Sequence, residues 1–188
     1  MKSRFPLLGE PLALDLVNTR VRRGGVEVDL LESPAALGAW LRAEHGRVAW
    51  TGAADAADLA NVRTLRDAID RLLRARRSHT RATHADVERV NRALTPGRAR
   101  PQLGWGASGP TLKPLPVPTR RHALLHALAS DAVTLLTGPC ADRVRECAHP
   151  DCRLQFVAQN PRRHWCSSQL CGNRARVARH HQRHSQAM

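Results

Sequence analysis

The first fifty residues alternate short apolar runs with turn signals. Residues 12–19 are mostly apolar, and at this length periodicity does not separate a strand from a helix. The two glycines at 24–25 indicate a turn, and residues 26–30 alternate as a short strand does. Ser33 and Pro34 then predict a helix start, because serine is a good N-cap and proline is tolerated in the first turn. The apolar face of that helix contains Leu37, Trp40 and Leu41.

The segment 53–77 gives the strongest helical pattern of the chain. Its apolar stripe contains Leu59, Val62, Leu65, Ile69, Leu72 and Leu73. Its opposite face contains Arg63, Arg66, Asp67, Asp70, Arg71 and Arg74. A face of mixed sign is usually hydrated, so we interpret these charges as solvated.

Further elements complete an α+β interpretation. Helices are predicted over 83–94 and from 119 to about 136, with two short strands at 102–105 and 111–113. Gly138 and Pro139 then break the pattern, so we divide the chain there, into a domain of residues 1–138 and a smaller module of residues 139–188. The predicted architecture is a mainly helical N-terminal domain with short strands, followed by a small four-cysteine finger built from a β-hairpin and a C-terminal helix.

The composition points to a polyanionic partner. The chain of 188 residues has a formal net charge of +14, and all of its basic residues except Lys2 and Lys113 are arginines. A cation excess of this size indicates a polyanion or a membrane surface, and guanidinium suits phosphate in particular. There is no Tyr and few other aromatic residues, which argues against a sheet that stacks RNA bases. With no apolar stretch long enough to span a bilayer and no leader pattern, we expect a cytosolic protein that does not enter the membrane.

Four of the five cysteines lie in one short span. They form two pairs, Cys147 with Cys152 and Cys166 with Cys171, each separated by four residues. Two turns that each supply two thiolates predict one tetrahedral zinc per chain, which is structural because all four positions are filled. We interpret the connection as a hairpin that turns at residues 160–161.

Two histidines are alternative ligands, and one cysteine stands apart. His149 lies inside the first pair and His164 just before the second, so either could replace a cysteine. Cys140 lies outside the spacing pattern, and we interpret it as a free thiol in a loop.

The region around these cysteines is the most densely basic part of the chain. From residue 143 onward it holds nine arginines and only two acids. The residues after Asn173 read as a helix to about His184, and Arg162 and Arg163 lie at the predicted hairpin tip. The candidate nucleic-acid contacts are Arg162, Arg163, Asn173, Arg174, Arg176, Arg179 and Arg183. Internal roles stay open for two of them: Asn173 as a helix cap and Arg174 as a structural ion pair.

The stretch from Cys147 to about Arg183 resembles the CGNR-type zinc finger. The resemblance rests on Cys171, Gly172, Asn173 and Arg174 in succession, together with Phe156 and the residues that precede Cys166. It implies a finger that binds DNA. Many members carry an acid in a longer hairpin tip, and this chain has a shorter tip without one.

The N-terminal part is similar to the ABATE-type domain that usually precedes this finger. The match lies in Gly9, residues 12–19, Ser33, Pro34 and Trp40. It implies a bacterial stress-induced transcription regulator with an unassigned ligand role in the N-terminal domain.

We therefore expect a zinc-finger transcription regulator that binds DNA through its basic C-terminal helix. The alternative is a module that binds RNA or protein, with a purely structural zinc and a small-ligand site in the N-terminal domain. Asp15, Asn18 and Trp40 are the candidates for that ligand pocket, although Asp15 is equally an acid that faces solvent or caps a helix. No motif of an enzyme is present, so we expect no catalysis. A homodimer is compatible with a finger of this size.

Overall fold

The computed structural model describes residues 4–95, 102–106, 109–113 and 119–178. The helices are α1 Leu12–Val17, α2 Pro34–Ala43, α3 Ala56–Arg77, α4 His84–Leu94, α5 Arg120–Thr137 and α6, residues 173–178. The strands are β1 Arg20–Arg23, β2 Val26–Asp29, β3 Gln102–Gly106, β4 Gly109–Lys113, β5 Val144–Glu146 and β6 Gln155–Val157. They form three antiparallel two-stranded sheets, β1–β2, β3–β4 and β5–β6. The α+β fold class predicted from the sequence is confirmed.

The helix starts follow from caps that the sequence encodes. The Ser33 hydroxyl accepts a hydrogen bond from the backbone N–H of Ala36 at 3.1 Å, as the serine-proline pattern predicts. At the start of α3, Asp55 and Asp58 each accept a hydrogen bond from the backbone N–H of the other, which completes a capping box. These contacts satisfy N–H groups that have no partner within their own helix.

The first apolar run becomes a helix because another helix caps it. All six residues of α1 are buried, and α1 contacts both α3 and α5. The carboxylate of Asp131 in α5 accepts a hydrogen bond from the backbone N–H of Ala13 at 2.8 Å. A partner that lies 118 positions away therefore decides a choice that periodicity left open.

One hydrophobic core runs through both parts of the chain. Trp40, Leu37 and Ile69 are fully buried in its N-terminal part, and Phe156 is fully buried in the finger. All four belong to the same cluster of contacting apolar side chains. The break predicted at residue 138 is the point where α5 ends, but packing continues across it.

The polar face of α3 is not uniformly solvated, and that interpretation was wrong for two residues. Arg66 is only 1% exposed and donates to both carboxylate oxygens of Asp29, at 2.7 and 2.8 Å, and to the Thr19 hydroxyl. Asp70 is also buried, and it accepts hydrogen bonds from Arg153 and Gln155 of the finger. Other elements cover this part of the face, so the charges of Arg66 and Asp70 meet protein partners, whereas Arg71 and Arg74 stay exposed.

The hairpin predicted within the finger was also wrong in its pairing. Strand β6 pairs with β5, which precedes the first cysteine pair, rather than with residues that follow the turn at 160–161. The backbone N–H of Cys147 donates to the Leu154 carbonyl at 2.9 Å, which extends the hydrogen bonding between β5 and β6 by one more residue. The first cysteine pair therefore lies in the loop of a β5–β6 hairpin.

No helix in the described part of the chain is both long enough and apolar enough to cross a membrane.

Replacing Arg66 by Leu leaves the partly buried Asp29 without its bidentate partner. We expect the free energy of unfolding to fall by roughly 2–4 kcal/mol. This is slightly less than the usual loss when one partner of a fully buried ion pair is removed, because Asp29 is partly exposed. Chemical denaturation measures the loss. Arg63→Ala is the control, since Arg63 Nε lies 3.5 Å from Asp29 Oδ2 and its side chain is 36% exposed, so its effect should stay below about 1 kcal/mol. Equal effects of the two variants would contradict this assignment.

Candidate metal centre and nucleic-acid interface

The first cysteine pair is held in a tight turn between β5 and β6. Cys152 donates its backbone N–H to the carbonyl of His149 at 2.9 Å, which closes the turn. The Nδ1 atom of His149 accepts a hydrogen bond from the backbone N–H of Asp151 at 3.1 Å. This histidine therefore shapes the turn, and the cluster of metal-ligating side chains contains neither it nor His164.

The second pair lies around a π-helical turn, Ser168–Gly172. The Ser167 hydroxyl accepts a hydrogen bond from the backbone N–H of Leu170, and the Ser167 carbonyl accepts one from Gly172 at 2.9 Å. A Cβ atom at position 172 would lie 3.4 Å from both the Ser167 carbonyl oxygen and the Trp165 ring. These are ordinary van der Waals distances, so Gly172 packs closely against both neighbours without a steric requirement for glycine.

The four Sγ atoms have the spacing of a zinc site. All four cysteines are buried, and their sulfurs lie within 4.8 Å of one another. The separation is 3.9 Å between Cys152 and Cys166, and 3.6 Å between Cys166 and Cys171. Tetrahedral zinc with bonds of about 2.3 Å places its sulfurs about 3.8 Å apart. The four cysteines thus form a closed site for one structural zinc ion, as the sequence predicts.

The acidities of the four thiols show why a cation is needed. Hydrogen bonds from Cys152 and Cys166 lower the pKa of Cys147 to about 2. The hydrogen bond to Cys147 raises the pKa of Cys152 to about 12 and also raises the pKa of Cys166. Burial raises the pKa of Cys171. Four thiolates can coexist in this space only around a cation that compensates their charge.

Cys140 is a free thiol, as predicted, and it is partly exposed. Arg143 Nη2 donates to its sulfur at 2.9 Å.

The outer edge of β6 is closed by side chains of the N-terminal part. Asn18 donates its amide to the Gln155 carbonyl at 2.9 Å and accepts from the Gln155 N–H at 2.7 Å. Glu10 accepts from the Val157 N–H at 2.8 Å. We call these contacts of Asn18 and Glu10 the β6 seam. It gives Asn18 a structural role and leaves no unpaired strand edge at these positions.

Arg153 anchors the finger to α3 and β2. It is 3% exposed and donates to Asp70 at 2.9 Å and to Glu27 at 2.8 Å. Neither this anchor nor Glu10 was among the predicted site residues. Their partners lie more than 80 positions away, so no local pattern marks them.

Arg163, predicted as a phosphate contact, has an internal role in the structure. Its guanidinium lies over the Phe156 ring at 4.3 Å and donates to Glu10 at 3.1 Å and to the Cys166 carbonyl at 2.6 Å. It also donates to the carbonyls of Val157 and Trp165. These bonds fix the chain around Cys166 and occupy all three guanidinium nitrogens.

Other predicted contacts remain available at the surface. Arg162, Asn173 and Arg174 are exposed, and the side chains of all three make no hydrogen bond or ion pair among the described residues. Asn173 ends the π-helical turn, with its backbone N–H donating to the Leu170 carbonyl, and Arg174 interacts electrostatically with the carboxylate of Asp151, so the internal roles left open for both stay predictions. Arg176 is exposed and donates to the Ser168 carbonyl at 3.3 Å. The remaining predicted contacts, Arg179 and Arg183, lie outside the described residues.

The three residues predicted to line a ligand pocket are all buried. Asn18 is occupied by the β6 seam, Trp40 is fully buried in the core, and Asp15 is 2% exposed. Arg47 donates to Asp15 at 2.7 Å and to Glu44 at 2.9 Å. The interpretation of Asp15 as an acid that faces solvent was wrong, because the core encloses it. A pocket formed by these three residues stays a prediction.

Two family models match the chain. Residues 10–139 match ABATE, whose description is "Putative stress-induced transcription regulator", and residues 143–184 match the CGNR zinc finger. The chain belongs to the ABATE family and carries a CGNR zinc finger. A search of the curated proteins found no match.

Removal of one ligand tests the metal centre. The purified, reduced protein should contain about one zinc per chain, and Cys166→Ser should lose it because a hydroxyl is a poor substitute for thiolate. Because the finger shares the core of the N-terminal part, the whole chain should also unfold at a lower temperature. Cys140→Ser is the matched control and should keep both its zinc and its stability. A full zinc content in Cys166→Ser would refute the assignment.

The buried Asp15 predicts a specific pH dependence. Burial is the main cause that raises its pKa from 3.8 to about 6. Between these values the folded chain binds more protons than the unfolded chain, so this contribution weakens the fold as pH rises and levels off above about 6. Relative to the wild type, Asp15→Asn should gain about 1 kcal/mol of stability between pH 5 and pH 7.5.

Urea denaturation at the two pH values measures this difference. Asp142→Asn, which changes an exposed acid, should show no comparable trend. The absence of a trend for Asp15→Asn would show that Asp15 is ionised throughout this pH range, and would contradict the raised pKa.

Proposed function

We propose that this protein is a transcription regulator that binds duplex DNA through its zinc finger. The two family matches support it, since one describes a transcription regulator and the other a zinc finger. The observation that carries it is the pair of exposed guanidinium groups of Arg162 and Arg174 beside the zinc site, which make no hydrogen bond or close ion pair among the described residues. In this proposal the protein acts in the cytoplasm and catalyses no reaction.

The charges of the finger divide into two groups. Arg153 and Arg163 are bound by acids of the N-terminal part, so they neutralise charge inside the protein. Arg162 and Arg174 donate no side-chain hydrogen bond among the described residues, so their donors stay available for phosphate, although the nearby carboxylate of Asp151 offsets part of the charge of Arg174. Fewer arginines are therefore available for DNA than the net charge of the finger indicates.

The zinc site gives these free arginines a fixed frame. Arg174 borders a cleft of about 370 Å³ between the β1–β2 hairpin and the cysteines, and Arg162 borders a neighbouring cleft of about 540 Å³. Cys166 lines both clefts. The metal and Arg163 fix the backbone at Cys166. The backbone that carries Arg162 and Arg174 is therefore held in place near the zinc site, which reduces the conformational entropy lost on binding.

We assign Arg162, Arg174 and Arg176 to phosphate contact. Asn173, at the start of α6, has a free amide that suits the edge of a base. Arg179 and Arg183 lie outside the described residues, and their sequence spacing predicts the same helical face as Arg176. Phosphate contacts set affinity and register, whereas base contacts set sequence preference.

Single alanine variants of the free arginines test this proposal. In electrophoretic or fluorescence titrations with duplex DNA, Arg174→Ala and Arg162→Ala should each weaken binding to all sequences. Each should also reduce the slope of log affinity against log salt by about 1, as expected for one lost phosphate contact. Arg89→Ala is the matched control, because Arg89 is a partly exposed arginine of α4 with no ion pair among the described residues.

Two results would contradict the proposal. One is an absence of binding by the zinc-loaded wild type at low salt. The other is an equal loss of DNA affinity in Arg89→Ala and Arg174→Ala. That result would show that the affinity depends on the net charge of the protein and not on a contact made by Arg174.

RNA is the second candidate, and the exposed arginines alone do not separate it from DNA. Competition between duplex DNA and structured RNA of equal length distinguishes the two. Selection from a random duplex pool then shows whether a sequence is read at all.

A further inference from the structure

An open cleft lies beside the connection between α2 and α3, away from the metal centre. Its volume is about 670 Å³, within the range of small-molecule sites. It is lined by Leu41, Arg42, His45, Gly46, Val48, Ala49, Trp50, Thr51 and Arg120. None of the candidate residues predicted from the sequence is among them.

One wall of the cleft is fixed by Arg120 at the start of α5. Its guanidinium lies 4.6 Å from the centroid of the Trp50 ring and donates to the carbonyls of Thr51 and Ala53, at 2.9 and 2.7 Å. Gly52 has a φ of +77°, a backbone conformation that favours glycine, and a Cβ atom there would displace the Arg120 guanidinium, whose Nη1 would lie 2.7 Å away. The wall is therefore a built feature with a stacked aromatic ring.

The floor of the cleft is apolar. Leu41 and Val48 are buried and belong to the core, and Trp50 packs against the same core while staying partly exposed. A ligand in the cleft would cover the exposed Ala49 and the exposed part of the Trp50 ring, and the removal of that apolar surface from water favours binding of a hydrophobic body.

The polar groups of the cleft are positive or neutral. None of the described residues that line it is acidic. Arg42 and His45 have no side-chain hydrogen bond or ion pair among the described residues. The Arg120 guanidinium lies 3.6 Å from the Asp58 carboxylate, which partly neutralises it. Arg42 has no such acidic partner among the described residues. Arg42 is therefore the group best placed to bind an anion.

We propose that this cleft binds a small amphipathic anion, with an aromatic or aliphatic body against Leu41, Val48 and Trp50 and a carboxylate on Arg42. His45 supplies a second hydrogen-bonding group at the same end. The site is independent of nucleic-acid binding, and it lies apart from the predicted pocket of Asp15, Asn18 and Trp40.

The test uses matched probes on the zinc-loaded full chain. 2-Naphthoate carries an aromatic body and a carboxylate, and 2-naphthylmethanol carries the same rings without charge. Isothermal titration calorimetry should show one saturable site for 2-naphthoate. The neutral probe should bind at least about tenfold more weakly, the usual effect of one lost charge-assisted hydrogen bond.

Variants locate the site. Arg42→Ala should weaken 2-naphthoate at least about fivefold and leave 2-naphthylmethanol almost unchanged, because only the anion contacts the guanidinium. Ala49→Trp should block both probes by filling the cleft. Arg89→Ala, with the same charge change on α4, should bind as the wild type does.

Other outcomes overturn the proposal. Equal affinity for both probes, or no saturable binding of 2-naphthoate, would show that the cleft does not select an anion. Binding that survives both Arg42→Ala and Ala49→Trp would place the probe elsewhere. Circular dichroism and zinc content confirm that each variant is folded. The DNA titrations are separate, so their failure leaves this result intact.

Discussion

The docking of β6 onto the N-terminal part is the interaction on which the rest of the finger depends. A two-stranded sheet of three-residue strands has too little apolar surface to be stable alone. Here the backbone of β6 is bonded by β5 on one side and by Asn18 and Glu10 on the other. Phe156 enters the common core between these contacts. The zinc ion then fixes the loops that this hairpin presents.

The same docking determines what the arginines do. A guanidinium that loses water on burial needs protein partners, and the buried Arg153 and the half-buried Arg163 obtain them from acids in the N-terminal part. Both are used to join the two parts, while Arg162 and Arg174 remain at the surface beside the zinc site. Structure and proposed binding therefore draw on different members of one basic set, although all look alike in the sequence.

Features encoded by neighbouring residues could be predicted from the sequence. The Ser33 cap, the turn at Gly24 and Gly25, and the cysteine cluster each follow from chemistry within a few positions or from repeated spacing. The pairing of Arg66 with Asp29 and of Asn18 with Gln155 could not, because each joins residues brought together only by the fold. The strand pairing was wrong for a related reason. Periodicity identifies the apolar face of β6 but not which neighbour completes its ladder.

The closed edge of β6 also has a consequence for how this finger can be transferred between proteins. Many small zinc modules are self-sufficient units that can be joined in series. An isolated segment from residue 143 onward would expose the N–H groups of Gln155 and Val157 and the apolar surface of Phe156. It would also leave the charge of Arg153 without its acids. This finger is therefore not an independently folding module. A fusion protein that keeps its zinc ligands but omits Glu10, Asn18 and Asp70 would lack contacts that the finger needs to fold.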